Sequence, residues 1–341
     1  MALRLAGAAA LLAASVSVTL SALSASPEFA LFRGSPAETP FLGRPAPVGA
    51  FRSAHKGVFV LDLPWWITPY HKETLDVLAF DLGKQRFAIT DAGGYDTPLQ
   101  SHATALTRAV QELLAPRNAT LSLILLTHGH LDHVGGLAKL LQAYPAATVV
   151  FHDSETPFLL GGQQWAPPFW ARNGGSPGLR LAQLLGFMPA FQYRLPPSQA
   201  VAKLSGAAGS LAHLGAPELS WVHLPGHAPS HVVWLHSPSR TAIGGDIADL
   251  LLDPPGVTHL PDGRALVKGQ PALFTMTGLA GADAALAKQS LCRLAYETSI
   301  GFERLLLFHD ATKAGLSRKE LQALVEAAAS CGGKAPKKAR G

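Results

Sequence analysis

Three histidines and one aspartate fall within six positions at His128-Gly129-His130-Leu131-Asp132-His133. Neutral imidazole and carboxylate are the ligands of zinc and similar first-row cations. His128 and His130 stand two apart on a turn, so both rings can face one metal. Asp132 and His133 are displaced along the same turn and suit a neighbouring position. A solvated polar turn that happens to be rich in histidine is the competing explanation. The chain holds no G-x-x-x-x-G-K-[ST] loop, which leaves P-loop chemistry without support.

Such a turn works only if rigid elements flank it. Leu123–Leu126 is an apolar run suited to a buried strand, and a new apolar pattern begins at Val134 and Leu137. The expected unit is strand, ligand-rich turn, then a helix from Val134 to about Tyr144 that stops before Pro145. Upstream, Val58–Leu61, Leu75–Leu82 and Phe87–Thr90 read as a β-meander ending in Asp91-Ala92-Gly93-Gly94. Leu106, Ala109, Val110, Leu113 and Leu114 have helical spacing. Downstream, Thr148–Phe151 is a short strand followed by His152, for which a structural role is expected. Pro157–Pro217 reads as loops and short helices rich in Gly, Pro and aromatics, either lining a cleft or packing locally. Leu219–Leu224 runs into Pro225-Gly226-His227-Ala228-Pro229-Ser230-His231, and a hairpin of Val232–Leu235 and Thr241–Ile243 ends at Gly244-Gly245-Asp246. After the loop-rich Pro254–Met276 come a helix over Ala282–Ser299, a strand over Leu305–Phe308 leading into His309, and a helix over Arg318–Ala329. Ser317 and Glu320 are spaced as a capping box for that last helix.

The His128–His133 run resembles the signature of the metallo-β-lactamase-fold hydrolases, a group of β-lactamases, lactonases, glyoxalase II-type thioesterases and RNA-processing nucleases. The resemblance implies an α/β fold, a four-layer αββα sandwich. The turn at Gly226-His227 is similar to the family's G-H-x-P-x-H, which implies that His227 joins His128 and His130 around a first metal. His231 is then a turn-stabilising residue, and His223 and His236 are strand residues without a catalytic part. By the same resemblance Asp132, His133 and His309 hold a second ion, Asp246 lies between the two, and Asp91 supports the site without touching the metal. An ordinary turn aspartate remains the alternative at Asp91 and at Asp246. Two divalent ions, zinc first among them, would share a hydroxide nucleophile, with Asp132 orienting it and carrying a proton to the leaving group. The implied substrate is a small acyl compound: an ester, lactone, thioester or β-lactam. A mononuclear iron persulfide dioxygenase and a phosphodiesterase of the same fold are the competing classes.

The bulk properties are those of an ordinary, rather apolar globular protein. The chain has 341 residues, is 48% hydrophobic and 15% charged, and carries a formal charge of +5. Much of the basic excess lies in Lys334–Arg340, and no basic stripe interleaves with aromatics, so no nucleic-acid partner is expected. Residues 1–25, with Arg4 followed by an apolar, small-residue run, fit a secretory signal peptide, the alternative being an uncleaved anchor. If the signal is removed, no stable membrane association is expected. Residues 26–56 read as an irregular extension, 57–330 as the hydrolase domain and 331–341 as a basic tail. The sequon Asn118-Ala119-Thr120, and a disulfide if Cys292 and Cys331 pair rather than remain thiols, would fit a secreted glycoprotein.

Overall fold

The computed structural model describes residues 49–68, 71–97, 100–163, 184, 193–252, 271–274, 282–310, 315–329 and 331. The expected signal peptide, most of the 26–56 extension, the aromatic residues from Trp165 to Phe191 and the tail beyond Cys331 lie outside these residues.

Two mixed sheets form the body. The first has the order β1 (Arg52–His55), β2 (Val58–Thr68), β3 (His71–Asp81), β4 (Arg86–Thr90), β7 (Thr120–Leu125), β8 (Thr148–His152) and β9 (Val201–Leu204). Between β4 and β7 lie the short hairpin of β5 (Asp96–Thr97) with β6 (Gln100–Ser101) and helix α1 (His102–Leu114). The second sheet has the order β10 (Ala208–Leu211), β11 (Ala216–His223), β12 (Val232–His236), β13 (Thr241–Ile243), β16 (Arg304–Leu306) and β17 (Leu316–Ser317). A separate hairpin joins β14 (Asp249–Leu252) to β15 (Pro271–Phe274). Among the described residues the remaining α-helices are α2 (Leu131–Val134), α3 (Leu137–Ala143), α4 (Thr156–Leu159), α5 (Ala284–Tyr296) and α6 (Arg318–Ala329). Among the described residues no helix is long and apolar enough to cross a membrane.

Strand alternation creates the four layers. Val58, Val60, Leu78, Phe80, Leu123 and Leu125 face the second sheet and meet Leu219, Trp221, Val232 and Trp234 in one buried cluster. The residues between them, Leu61, Leu63, Val77, Ile89 and Ile124, face outward onto Leu106, Val110, Leu137 and Leu140 of α1 and α3. On the far side Val222, Val233, Leu235 and Leu305 pack against Leu291, Leu294, Leu321 and Val325 of α5 and α6. A period of two on each strand therefore supplies both faces of both sheets. The order helix, sheet, sheet, helix is the αββα sandwich expected from the resemblance.

The β2–β3–β4 meander is antiparallel as expected, but β4 then pairs with β7 in parallel, and β13 pairs with β16 in parallel. The carboxyl ends of these four strands deliver Asp91, the histidine-rich turn, Asp246 and His309 to one edge, the usual place for a site in α/β sheets. Backbone bonds tie the two sheets together there: Val232 N–H donates to Thr127 O at 2.9 Å, and Asp76 N–H to Phe308 O at 2.9 Å.

Several sequence expectations need correction. The helix expected from Val134 is two pieces, α2 and α3, separated by Gly135 and Gly136. The loop after β4 crosses at that point: a Cβ on Gly136 would lie 2.2 Å from Ala92 O, and one on Gly135 would lie 2.6 Å from Tyr95 N. Glycine is required by this approach of two backbones. Pro157–Pro217 is not loop and short helix throughout, since it contains β9 and β10, four residues each, which carry the chain from one sheet to the other. Their brevity and partly exposed polar positions left no alternation to read. Likewise β15 lies inside the segment read as loop, and β1 lies inside the extension, pairing with β2 from Arg52. The strand expected to reach Phe308 ends at Leu306. The capping box is present: Glu320 N–H donates to Ser317 Oγ at 3.2 Å, and Ser317 N–H to Glu320 Oε2 at 2.7 Å. Cys292 and Cys331 are joined in a disulfide, and Cys331 packs against the core under α5 and α6.

Candidate metal centre

Side chains from both sheets converge at the shared strand edge. His128 and His130 follow β7, Asp132 and His133 lie on α2, His227 sits in the turn between β11 and β12, Asp246 follows β13 and His309 follows β16. They form two groups. His128 Nε2 lies 2.9 Å from His130 Nδ1 and 3.1 Å from His227 Nε2, and His227 Nε2 lies 2.9 Å from His130 Nδ1. In the second group Asp132 Oδ2 is 3.4 Å from His309 Nε2 and 3.6 Å from His133 Nε2. Asp246 Oδ2 is 3.2 Å from His133 Nε2 and 3.6 Å from His309 Nε2. That same oxygen is 3.5 Å from His227 Nε2 and 3.9 Å from His128 Nε2, so it stands between the groups. Among the described residues these are the two groups of three or more potential ligands that could hold a metal ion. All seven residues expected at the site are brought together.

The donor set fits divalent cations. Tetrahedral zinc with bonds of about 2.0–2.1 Å to nitrogen separates its donors by about 3.3 Å, near the spacing in the first group. Burial, reinforced by neighbouring imidazoles, holds His128 well below the usual histidine range. Burial with His227 beside it pushes His130 down to about 3. Both shifts favour neutral rings at His128 and His130, and the ring nitrogens of these two and of His227 converge on a point that a central cation would satisfy. In the second group burial pushes Asp246 up, but His133 and His309 outweigh it and hold the carboxyl well below its ordinary value. Asp132 is lowered in the same way by His133 and His309 against the effect of burial. Burial lowers His133, yet the carboxylates of Asp246, Asp91 and Asp132 outweigh it and raise the imidazole well above its ordinary range. The second group thus has an excess of buried anionic oxygen that calls for positive charge.

Asp91 supports this set. It is buried, has a left-handed φ of 57°, and its Oδ2 lies 3.0 Å from His133 Nδ1. Thr127 N–H donates to Asp91 Oδ1 at 2.8 Å, and Thr127 Oγ1 donates to Oδ2 at 2.9 Å. A carboxylate on the far nitrogen of a ligand histidine fixes its tautomer and orientation, so Asp91 is more than a turn residue. Burial pushes its carboxyl upward, with His133 acting against that shift.

Of the other histidines singled out in the sequence, His152, His223 and His236 lie apart from both groups and His231 lies behind the first. His152 stacks on His223 with ring centroids 3.8 Å apart, and His236 Nδ1 lies 2.7 Å from Ser239 Oγ. His231 is buried behind His128, its ring centroid 5.3 Å away. Four contributors escaped the sequence reading. Thr127 Oγ1 lies 3.1 Å from His128 Nδ1 and 3.2 Å from His133 Nδ1. Phe308 stacks on His133 with centroids 3.9 Å apart. Ser230 Oγ donates to Glu155 Oε2. Thr127 and Phe308 adjoin ligands and could have been suspected on that ground; Glu155 carries no local signal. Glycines also shape the site. Gly245 has a φ of +52°, and a Cβ there would meet Thr127 at 2.9 Å, so its absence lets Asp246 approach the histidine turn.

A two-sheet αββα sandwich with paired His/Asp groups at one strand edge defines the class of protein, and comparison with known proteins agrees. The profile of the metallo-beta-lactamase superfamily matches residues 96–250, which include all the ligand candidates except His309. The chain is 29% identical over 175 residues to the probable metallo-hydrolase YflN of Bacillus subtilis (strain 168), covering 51% of this chain and 60% of that protein. It is 27% identical over 160 residues to the hydroxyacylglutathione hydrolase GloC of Haemophilus influenzae, covering 47% of this chain and 60% of that protein. Similar solved structures include the metallo-β-lactamase FIM-1 of Pseudomonas aeruginosa in its mono-zinc form. That likeness has a TM-score of 0.52 at 15% identity and covers 84% of this chain and 99% of that one. A metallo-β-lactamase of Erythrobacter litoralis gives a TM-score of 0.52 at 14% identity, covering 83% and 97%. Residues 96–250 thus match the metallo-β-lactamase superfamily, the chain shares the fold of the solved metallo-β-lactamases, and it spans about 60% of the length of the curated relatives it matches.

Proposed function

We propose that the chain is a metal-dependent hydrolase that holds two divalent cations, zinc being the expected ion, and cleaves a small acyl substrate. The observation that carries this reading is Asp246 Oδ2, within 3.2–3.9 Å of ring nitrogens from both groups. A carboxylate oxygen so placed suits two adjacent cations. His128, His130 and His227 would hold one, and Asp132, His133 and His309 the other. When bound, the ions supply Lewis-acid polarisation of a carbonyl and lower the pKa of water in the site.

The chain's own groups do the rest. Asp132 is half-buried, the most open of the acids at the site, and its carboxylate can accept a hydrogen bond from the attacking water and return a proton to the leaving group. Asp91, through Thr127 and His133, holds the second group in register. The buried rings of His128 and His133 keep bulk water from the back of the site, which strengthens every charge interaction within it. The probable metallo-hydrolases among the relatives support hydrolysis, and the relative named for hydroxyacylglutathione supports the thioester arm of an ester, lactone, thioester or β-lactam panel. A secretory-pathway location is proposed alongside: the Cys292–Cys331 disulfide and the exposed Asn118 of the sequon support it.

Elemental analysis of the purified chain followed by that substrate panel tests the proposal. About two divalent ions per chain and turnover of an acyl substrate are expected. One iron with oxygen uptake, or cleavage of a phosphodiester while the acyl panel stays silent, would refute it.

A further inference from the structure

The loop Pro225–His231 carries His227 and is held from three directions. Ser290 Oγ of α5 donates to Pro225 O at 2.6 Å, and Asp283 N–H donates to Gly226 O at 2.7 Å. His223 Nε2 lies 2.8 Å from Pro229 O. On the third side Ser230 Oγ donates to Glu155 Oε2, with both residues buried. Glu155 ends the 3-10 turn Asp153–Glu155 that follows β8 of the first sheet, whereas Ser230 lies in the turn between β11 and β12 of the second. A carboxylate is costly to bury unless it is hydrogen-bonded, and no step of the proposed hydrolysis uses this one.

The first metal group has the same division. His128 and His130 come from the end of β7, next to β8 in the first sheet, while His227 comes from the second. Any slide between the sheets would separate His227 from the other two, and a site about 1 Å too loose loses its function. We propose that the Glu155–Ser230 hydrogen bond is a positioning device for the first group, tying the His227 loop to the β8 end. Glu155 acts through Ser230 and touches no reacting atom. The inference rests on the metal-hydrolase reading.

Calorimetric titration of zinc into the chelator-treated full chain tests it, comparing the wild type with Glu155→Ala, Ser230→Ala, the double variant and Glu155→Gln. Glutamine retains an oxygen that accepts from Ser230. Either alanine variant is expected to weaken one binding step by at least about tenfold and spare the other. The double variant should lose no more than the worse single one, because both remove the same contact. Glu155→Gln should keep wild-type affinities. Unchanged binding in Ser230→Ala, or losses that add in the double variant, overturns the proposal, and the serine variant decides it if Glu155→Ala does not fold. A wild-type chain that binds no ion brings down the hydrolase reading and this proposal with it. Two ions in the wild type with wild-type behaviour in every variant brings down this proposal alone.

Discussion

Asp91→Asn isolates the support given to the second metal group. The backbone at Asp91 is left-handed, with φ of 57°, and asparagine tolerates that conformation, so the substitution adds little strain. What changes is the acceptor set. The carboxylate uses Oδ1 for Thr127 N–H at 2.8 Å and Oδ2 for His133 Nδ1 at 3.0 Å. An amide has one oxygen for these two tasks, and the NH2 group must face either Thr127 N–H or His133. Facing His133, it favours the tautomer with the proton on Nε2, the nitrogen that points at Asp246. That tautomer cannot bind a cation through Nε2. Losing a buried charge-assisted hydrogen bond costs about 1.5–3 kcal/mol, which is roughly 10- to 150-fold in affinity. The range matches the roughly 10–100-fold commonly lost when the outer partner of a ligand histidine is removed. Zinc titration of the apo-protein should therefore show one binding step falling by that factor and the other spared. Equal loss at both steps, or no loss at either, would refute the claim that Asp91 acts on His133.

Two further perturbations test contacts elsewhere in the structure. Gly136→Ala places a Cβ 2.2 Å from Ala92 O, so the loop carrying Asp91 must shift; a loss of about 1–3 kcal/mol and reduced metal content are expected, measured by denaturant unfolding and elemental analysis. Reducing the Cys292–Cys331 bond, which closes a span of 39 positions, should lower stability by about 4 kcal/mol by the chain-entropy relation. Urea midpoints with and without reductant measure that loss, and an unchanged midpoint would show that the link does not constrain the unfolded chain.

The parts legible in the sequence were those whose physics is local. His128, His130, Asp132 and His133 lie on one turn, so ligand type and spacing are visible without a fold. The β2–β4 meander was visible because long apolar runs bounded by turns have few other uses. The Ser317–Glu320 capping box was visible for a similar reason, being complete within four positions. Placing His227, Asp246 and His309 with them required the family resemblance, since nothing in their own surroundings distinguishes a ligand from a turn residue. Tertiary structure decided everything that depends on two distant segments meeting. It split the expected helix at Gly135-Gly136, because the loop at Ala92–Tyr95 occupies the space a side chain would fill. It turned Asp91 into the partner of His133, 42 positions away, and paired Cys292 with Cys331 where thiols were equally consistent with the sequence. It also brought Glu155 beneath Ser230 across 75 positions. Residue type sets which chemistry a side chain offers, but the packing of two sheets face to face sets which other side chain it reaches, and that distance is not written in any local pattern.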